Sequence, residues 1–157
     1  MAAQVTGAAD GAAAGCLLIN DSKYGYSLDG STLRMTLIRS SYMPDILPEI
    51  RQHEIHAGLR SFAGDLPVAE AVRLGRNFNH ALRIVGTDVH SGSLPSAASF
   101  MAVAPDTVIL ANVKKAEEDD ALVLTFFDPT GEAAEARVGF NTRVLGQPVG
   151  AVEVDLM

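Results

Sequence analysis

Several stretches of the chain alternate apolar and polar residues with a period of two, the spacing of a strand with one covered and one open face. Thr32 to Arg39 is the clearest: Leu33, Met35 and Leu37 fall on one side, Arg34, Thr36 and Ile38 on the other. His53, Ile55, Ala57 and Leu59 alternate in the same way with Glu54, His56, Gly58 and Arg60. Cys16 to Ile19 is a continuous apolar run, which suits a strand covered on both faces. Further β-prone runs occupy Ala81 to Val85, Phe100 to Val103, Thr107 to Lys114, Leu122 to Phe127, Ala136 to Phe140 and Val149 to Val154.

Turn chemistry punctuates these runs. Asp29-Gly30 supplies a residue that tolerates positive φ and marks a tight hairpin. Pro44 and Pro48 bracket a loop that also carries Asp45, because neither proline can donate to a ladder. Glu117 to Asp120 reads as an acidic hairpin tip and Asp128-Pro129-Thr130-Gly131 as a turn, while 86–98 is a loop rich in Ser and Gly. One segment has helical spacing instead. Asp65 is a candidate N-cap, Pro67 suits the first turn, and Val68, Ala71 and Val72 recur on one face, predicting a single short helix near residues 66–77. About eight to ten short strands at regular spacing with one helix predict an all-β, mainly antiparallel sandwich rather than a parallel α/β sheet.

Length and composition narrow the class. At 157 residues the chain is expected to form one domain. With 48% hydrophobic and 20% charged residues it is too apolar for a disordered protein, yet it has no long uncharged apolar stretch that would span a bilayer. Residues 1–15 are almost wholly Ala and Gly and have neither the basic nor the bulky apolar portion of a signal peptide. They are expected to be either a disordered leader ahead of a domain at 16–157 or the ragged start of a fragment. The net charge of -7 repels phosphate backbones and anionic lipid, so nucleic acid and membrane are not expected partners and a neutral ligand is. The single cysteine, Cys16, excludes an internal disulfide framework and a cysteine-based zinc site.

Common catalytic patterns are missing. His53 and His56 are three apart in an expected strand, which would aim them at opposite faces and not at one metal. His80 and His90 read as helix-end and loop residues, and Ser91-Gly92-Ser93 lacks the strand-to-helix context of an activated serine. Gly25 and Gly30 lack the spacing and following Lys of a phosphate loop. The unusual cluster is Asn20-Asp21-Ser22-Lys23-Tyr24-Gly25-Tyr26-Ser27, followed by the strand that ends at Arg39. An amide, a carboxylate, an ammonium and two phenols can hold a polyhydroxylated ligand, with aromatic faces for sugar C–H edges. The same residues also suit a polar strand turn in which Asp21 caps backbone groups and the tyrosines lie on the surface.

The segment Leu17-Leu18-Ile19-Asn20-Asp21-Ser22-Lys23-Tyr24-Gly25-Tyr26-Ser27 resembles a signature of the C-terminal β-domain of glycoside hydrolase family 38 α-mannosidases, in the cytosolic and vacuolar branch, with Ser22 where that family usually has Cys. Leu33 to Ser40 with Pro44-Asp45, then His53-Glu54-Ile55, then Val108 to Glu117 are similar to further segments of that domain, in the same order. The resemblance implies a β-sandwich of the galactose-mutarotase-like type, packed on a catalytic domain of the same enzyme, and a cytoplasmic or vacuolar location. It implies an α-mannoside or oligosaccharide as ligand. It places the catalytic carboxylates and the zinc ion in the catalytic domain, so no catalytic residue, metal ligand or cofactor is expected in this chain. Substrate-binding residues carried over are Asn20, Asp21, Lys23, Tyr24 and, as the cleft arginine, Arg39. The alternative is a free-standing carbohydrate-binding or structural β-sandwich module.

Overall fold

A computed structural model describes residues 2–9, 12–40, 43 and 50–154. The loop bracketed by Pro44 and Pro48, with Asp45, lies outside the described residues. Where composition predicts one domain, the contacts divide into two units, Met1–Arg83 and Ile84–Met157. The described elements are mainly antiparallel strands with two helices, an all-β chain.

In the first unit the strands are β1 (Ala2–Ala9), β2 (Ala12–Asn20), β3 (Tyr26–Asp29), β4 (Thr32–Met35) and β5 (Ala57–Ala63), followed by helix α1 (Val68–Asn79). The main sheet has the order β1-β2-β5 with both pairings antiparallel. The Ala/Gly tract expected to form a leader thus pairs as a strand: Gln4 lies opposite Leu17 and Ala9 opposite Ala12. Small residues weaken strand propensity, but they do not prevent a backbone from completing the ladder of an apolar neighbour. Alternation along β2 buries Leu17 and Ile19, and they pack with Leu66 and Ala71, flanked by Phe62 and Leu74. Each of the buried Leu and Ile side chains contributes about 1.5–3 kcal/mol by leaving water.

The layer over this face is α1, and no sandwich closure is seen among the described residues. Asp65 does not cap the helix. Pro67 stands at the N-cap without a side-chain bond, and its carbonyl accepts from the Ala71 N–H at 3.0 Å. Ala69, Ala71 and Gly75 form the buried side of α1. Its close approach also needs Gly58 on β5, where a Cβ would stand 3.2 Å from the Phe78 ring. The expected hairpin at Asp29-Gly30 forms, with Gly30 at φ +57° between β3 and β4. Two expected strands are shorter: β4 stops at Met35, well before Arg39, and β5 starts only at Ala57, so His53 to His56 precede it.

The second unit contains β6 (Met101–Ala104), β7 (Ile109–Lys115), β8 (Leu122–Phe127), β9 (Arg137–Phe140) and the short α2 (Thr142–Leu145). β6 pairs with β9, and β7 with β8 through a register shift between Leu110 and Asn112. The acidic tip joins β7 and β8 as expected, with the Ala121 N–H donating to Asp119 at 2.9 Å. In the Asp128 turn the carboxylate accepts from the Thr130 N–H at 2.8 Å, and Gly131 takes φ +78°. Helix α2 lacks an apolar repeat to announce it, and Asn141 caps it by accepting from the Arg143 N–H. Residues 81–85 and 149–154, expected as strands, are not in strands, and Leu82, Ile84 and Val149 stand almost fully in solvent. Alternation specifies faces, but a strand also needs a partner edge.

Candidate functional site

β2 ends at Asn20 and the chain turns through 21–25 into β3, so that this strand end and turn together carry four of the five residues singled out by the sequence. Asn20 is 0% exposed and organises it. Its Oδ1 accepts from the Ser22 N–H at 2.9 Å and the Lys23 N–H at 2.5 Å, and its Nδ2 donates to the Tyr26 hydroxyl. Its backbone carbonyl accepts from Asn79 Nδ2 at 3.2 Å, which ties the turn to the C-terminal end of α1. Asparagine suits this position because one side chain supplies an acceptor for two backbone donors and a donor for the phenol. Partial burial holds the Tyr26 phenol above its ordinary pKa, against the opposing hydrogen bond from Asn20.

Asp21 faces the other way. Its Oδ2 is 2.6 Å from His56 Nδ1 and its Oδ1 accepts from Ser22 Oγ at 2.9 Å and from the His56 N–H at 3.3 Å. The hydrogen bond to the His56 ring holds the Asp21 carboxyl below the usual range, outweighing desolvation. His56 is raised by the same bond, by the Asp21 charge and, more weakly, by Glu54, whose Oε1 is 3.2 Å from Nε2.

On this scaffold Lys23 is half-buried, and Tyr24 is 76% exposed. Gly25 fits against Thr36, the residue just past β4: a Cβ there would lie 3.0 Å from Thr36 Cβ and Oγ1, and the Thr36 N–H donates to the Gly25 carbonyl at 2.8 Å. Arg39 is exposed beyond β4, outside the regular hairpin. The structure therefore brings Asn20, Asp21, Lys23 and Tyr24 together and leaves Arg39 on an adjacent segment. Asn20 shapes the turn, while Tyr24 offers an open aromatic face. Asp21 caps a backbone group, the His56 N–H, as the turn reading expects, while Asn20 caps the turn's own Ser22 and Lys23 amides. A cleft of about 480 Å³ runs beside α1, lined by Leu17, Val68, Val72, Arg76 and Asn79 among others, and Asn79 joins it to the turn.

Sequence reasoning missed Tyr26, His56 and Asn79. Tyr26 stood in the cluster, but no local spacing couples position 21 to 56 or position 20 to 79. Ladder register supplies the first, since Asn20 lies opposite Ala57 and His56 is the next residue out, and the packing of α1 supplies the second. Among the described residues, no three His, Cys, Asp or Glu side chains come together to hold a metal ion.

Comparison with known proteins gives a consistent relation. The chain is 26% identical to Alpha-mannosidase G of Dictyostelium discoideum over 139 residues, 88% of this chain and 13% of that protein. It is 30% identical to Alpha-mannosidase of Saccharomyces cerevisiae over 69% of this chain and 10% of that protein. It is 29% identical to Alpha-mannosidase 2C1 of Homo sapiens over 74% of this chain and 11% of that protein. No family model matches, and no solved structure matches. The chain is thus related to a region of α-mannosidases and spans only 10–13% of the length of these relatives.

Proposed function

We propose that the chain serves as the C-terminal β-domain of an α-mannosidase of the glycoside hydrolase family 38 type, adding carbohydrate contacts to a substrate cleft whose catalytic groups and zinc lie in a separate catalytic domain. The observation that carries this reading is the relation to α-mannosidases across most of the chain. The turn 20–26 is the natural contact surface on this reading. Asn20 sets its shape, Asp21 and Lys23 supply an acceptor and donors for sugar hydroxyls, and Tyr24 supplies a stacking face. Arg39, a planar cation with several donors, orients a hydroxyl or a catalytic carboxylate from the neighbouring segment. A galactose-mutarotase-like sandwich, and a cytoplasmic or vacuolar setting, belong to the same proposal.

The purified chain, assayed with an aryl α-mannoside and zinc, is expected to show no turnover of its own; substantial turnover would sink the reading. The exposed Tyr24 favours one second reading, a free-standing carbohydrate-binding module. Tight saturable binding of mannose by the isolated chain, abolished by Tyr24→Ala, would select that module.

A further inference from the structure

His56 lies one residue outside the β2–β5 ladder, with its ring between two carboxylates. Nδ1 is 2.6 Å from Asp21 Oδ2 and Nε2 is 3.2 Å from Glu54 Oε1. Ionised carboxylates only accept, so both contacts are attractive only when both ring nitrogens carry protons, that is, as the imidazolium. Two backbone contacts reinforce the junction: the His56 N–H donates to Asp21 Oδ1 and the Asp21 N–H donates to the His56 carbonyl, each at 3.3 Å. Among the described residues, the charged groups facing the ring are Asp21 from the turn and Glu54 from its own segment. Asp21 adjoins the Ser22 and Lys23 amides that Asn20 holds from inside. The turn is thus fastened on its buried side by a fixed amide and on its open side by a group that titrates.

We propose that His56 is a proton-dependent positioning residue that, as an imidazolium, clasps Asp21 and fixes the turn presenting Lys23 and Tyr24. The neutral ring keeps one proton and turns a lone pair toward one of the two carboxylates, so one attractive contact becomes repulsive and the clasp loosens. Both carboxylates raise the His56 pKa. The charge-assisted part of the clasp is therefore complete below the ordinary value of 6.5 and is lost as pH rises through the raised value. What the turn presents rests on the carbohydrate reading above, whereas the clasp stands on these distances alone.

The test is an NMR titration of the full chain from about pH 5 to about pH 9, spanning the range in which histidine titrates. The amides of Ser22, Lys23 and Tyr24 are followed beside the His56 ring in the wild type, His56→Gln and Glu54→Gln. The proposal expects an inflection of the turn amides that coincides with the ring titration, with a midpoint above that of an ordinary histidine. His56→Gln should lose the inflection and Glu54→Gln should shift it to lower pH. Turn amides that stay flat while the ring titrates would overturn it, as would an inflection that survives His56→Gln. If His56→Gln does not fold, an unmoved midpoint in the exposed Glu54→Gln variant overturns it equally. Repeating the titration with methyl α-mannoside separates the two readings. An inflection with no response to the sugar supports the clasp and counts against the free-standing carbohydrate-binding module, while equal sugar affinity on both sides of the inflection overturns the positioning role.

Discussion

Replacing Asn20 with alanine removes the group on which the turn depends, and its cost can be worked from the geometry. The side chain is 0% exposed and is bonded to the Ser22 N–H, the Lys23 N–H and the Tyr26 hydroxyl. A typical hydrogen bond contributes about 1 kcal/mol net, and a donor left buried without a partner costs about 1–3 kcal/mol. Ser22 is exposed and regains water, while Lys23 and Tyr26 are half-buried and regain less. The total for Asn20→Ala is about 2–3 kcal/mol. Tyr26→Phe breaks only the bond from Nδ2, for about 1 kcal/mol. Because the two share that bond, the double variant should lose about 1 kcal/mol less than the sum of the singles. Urea unfolding read at the Leu17 and Ile19 amides reports on the unit that contains the turn, and the slope should stay constant while the midpoint falls. A loss below about 0.5 kcal/mol for Asn20→Ala, smaller than one ordinary hydrogen bond, would refute the assignment of Asn20 as the organiser, and so would strict additivity.

Leu17→Ala should cost about 3 kcal/mol, since Leu17 is 1% exposed at the centre of the sheet-helix core; a loss under about 1 kcal/mol would place the core elsewhere. Gly25→Ala should speed hydrogen exchange of the Thr36 amide, because the new methyl would meet Thr36 at 3.0 Å, and unchanged exchange would show that the two segments are not in close contact. The melting-temperature difference between wild type and His56→Gln should be largest between the two titrations of the clasp. The Asp21 share is present above 3.8 and lost as pH falls through its lowered pKa, and the His56 share is present below 6.5 and lost as pH rises through its raised one. A difference that does not vary with pH would contradict that linkage.

Local chemistry was legible wherever short-range rules decide the structure. The Asp29-Gly30 hairpin, the acidic tip, the Asp128 turn and a helix near Val68 follow from turn residues and spacing. Boundaries set by partners were not. The run at Ala81 to Val85 is β-prone like that at Leu122 to Phe127, yet only the second is paired in a ladder, and the Ala/Gly tract pairs although its composition does not announce a strand. The site divides in the same way. Asn20, Asp21, Lys23 and Tyr24 are neighbours in sequence and meet in one turn, whereas His56 and Asn79 reach it through the ladder and the packing of α1, which no spacing of 35 or 59 residues encodes.

The most direct test of the central proposal is a chimera in which this chain replaces the matching region of the Saccharomyces cerevisiae α-mannosidase. The account predicts a folded enzyme that cleaves an aryl α-mannoside and whose kcat/KM falls on Tyr24→Ala and on Arg39→Ala. A folded chimera without activity, or one whose kcat/KM ignores both substitutions, would contradict it.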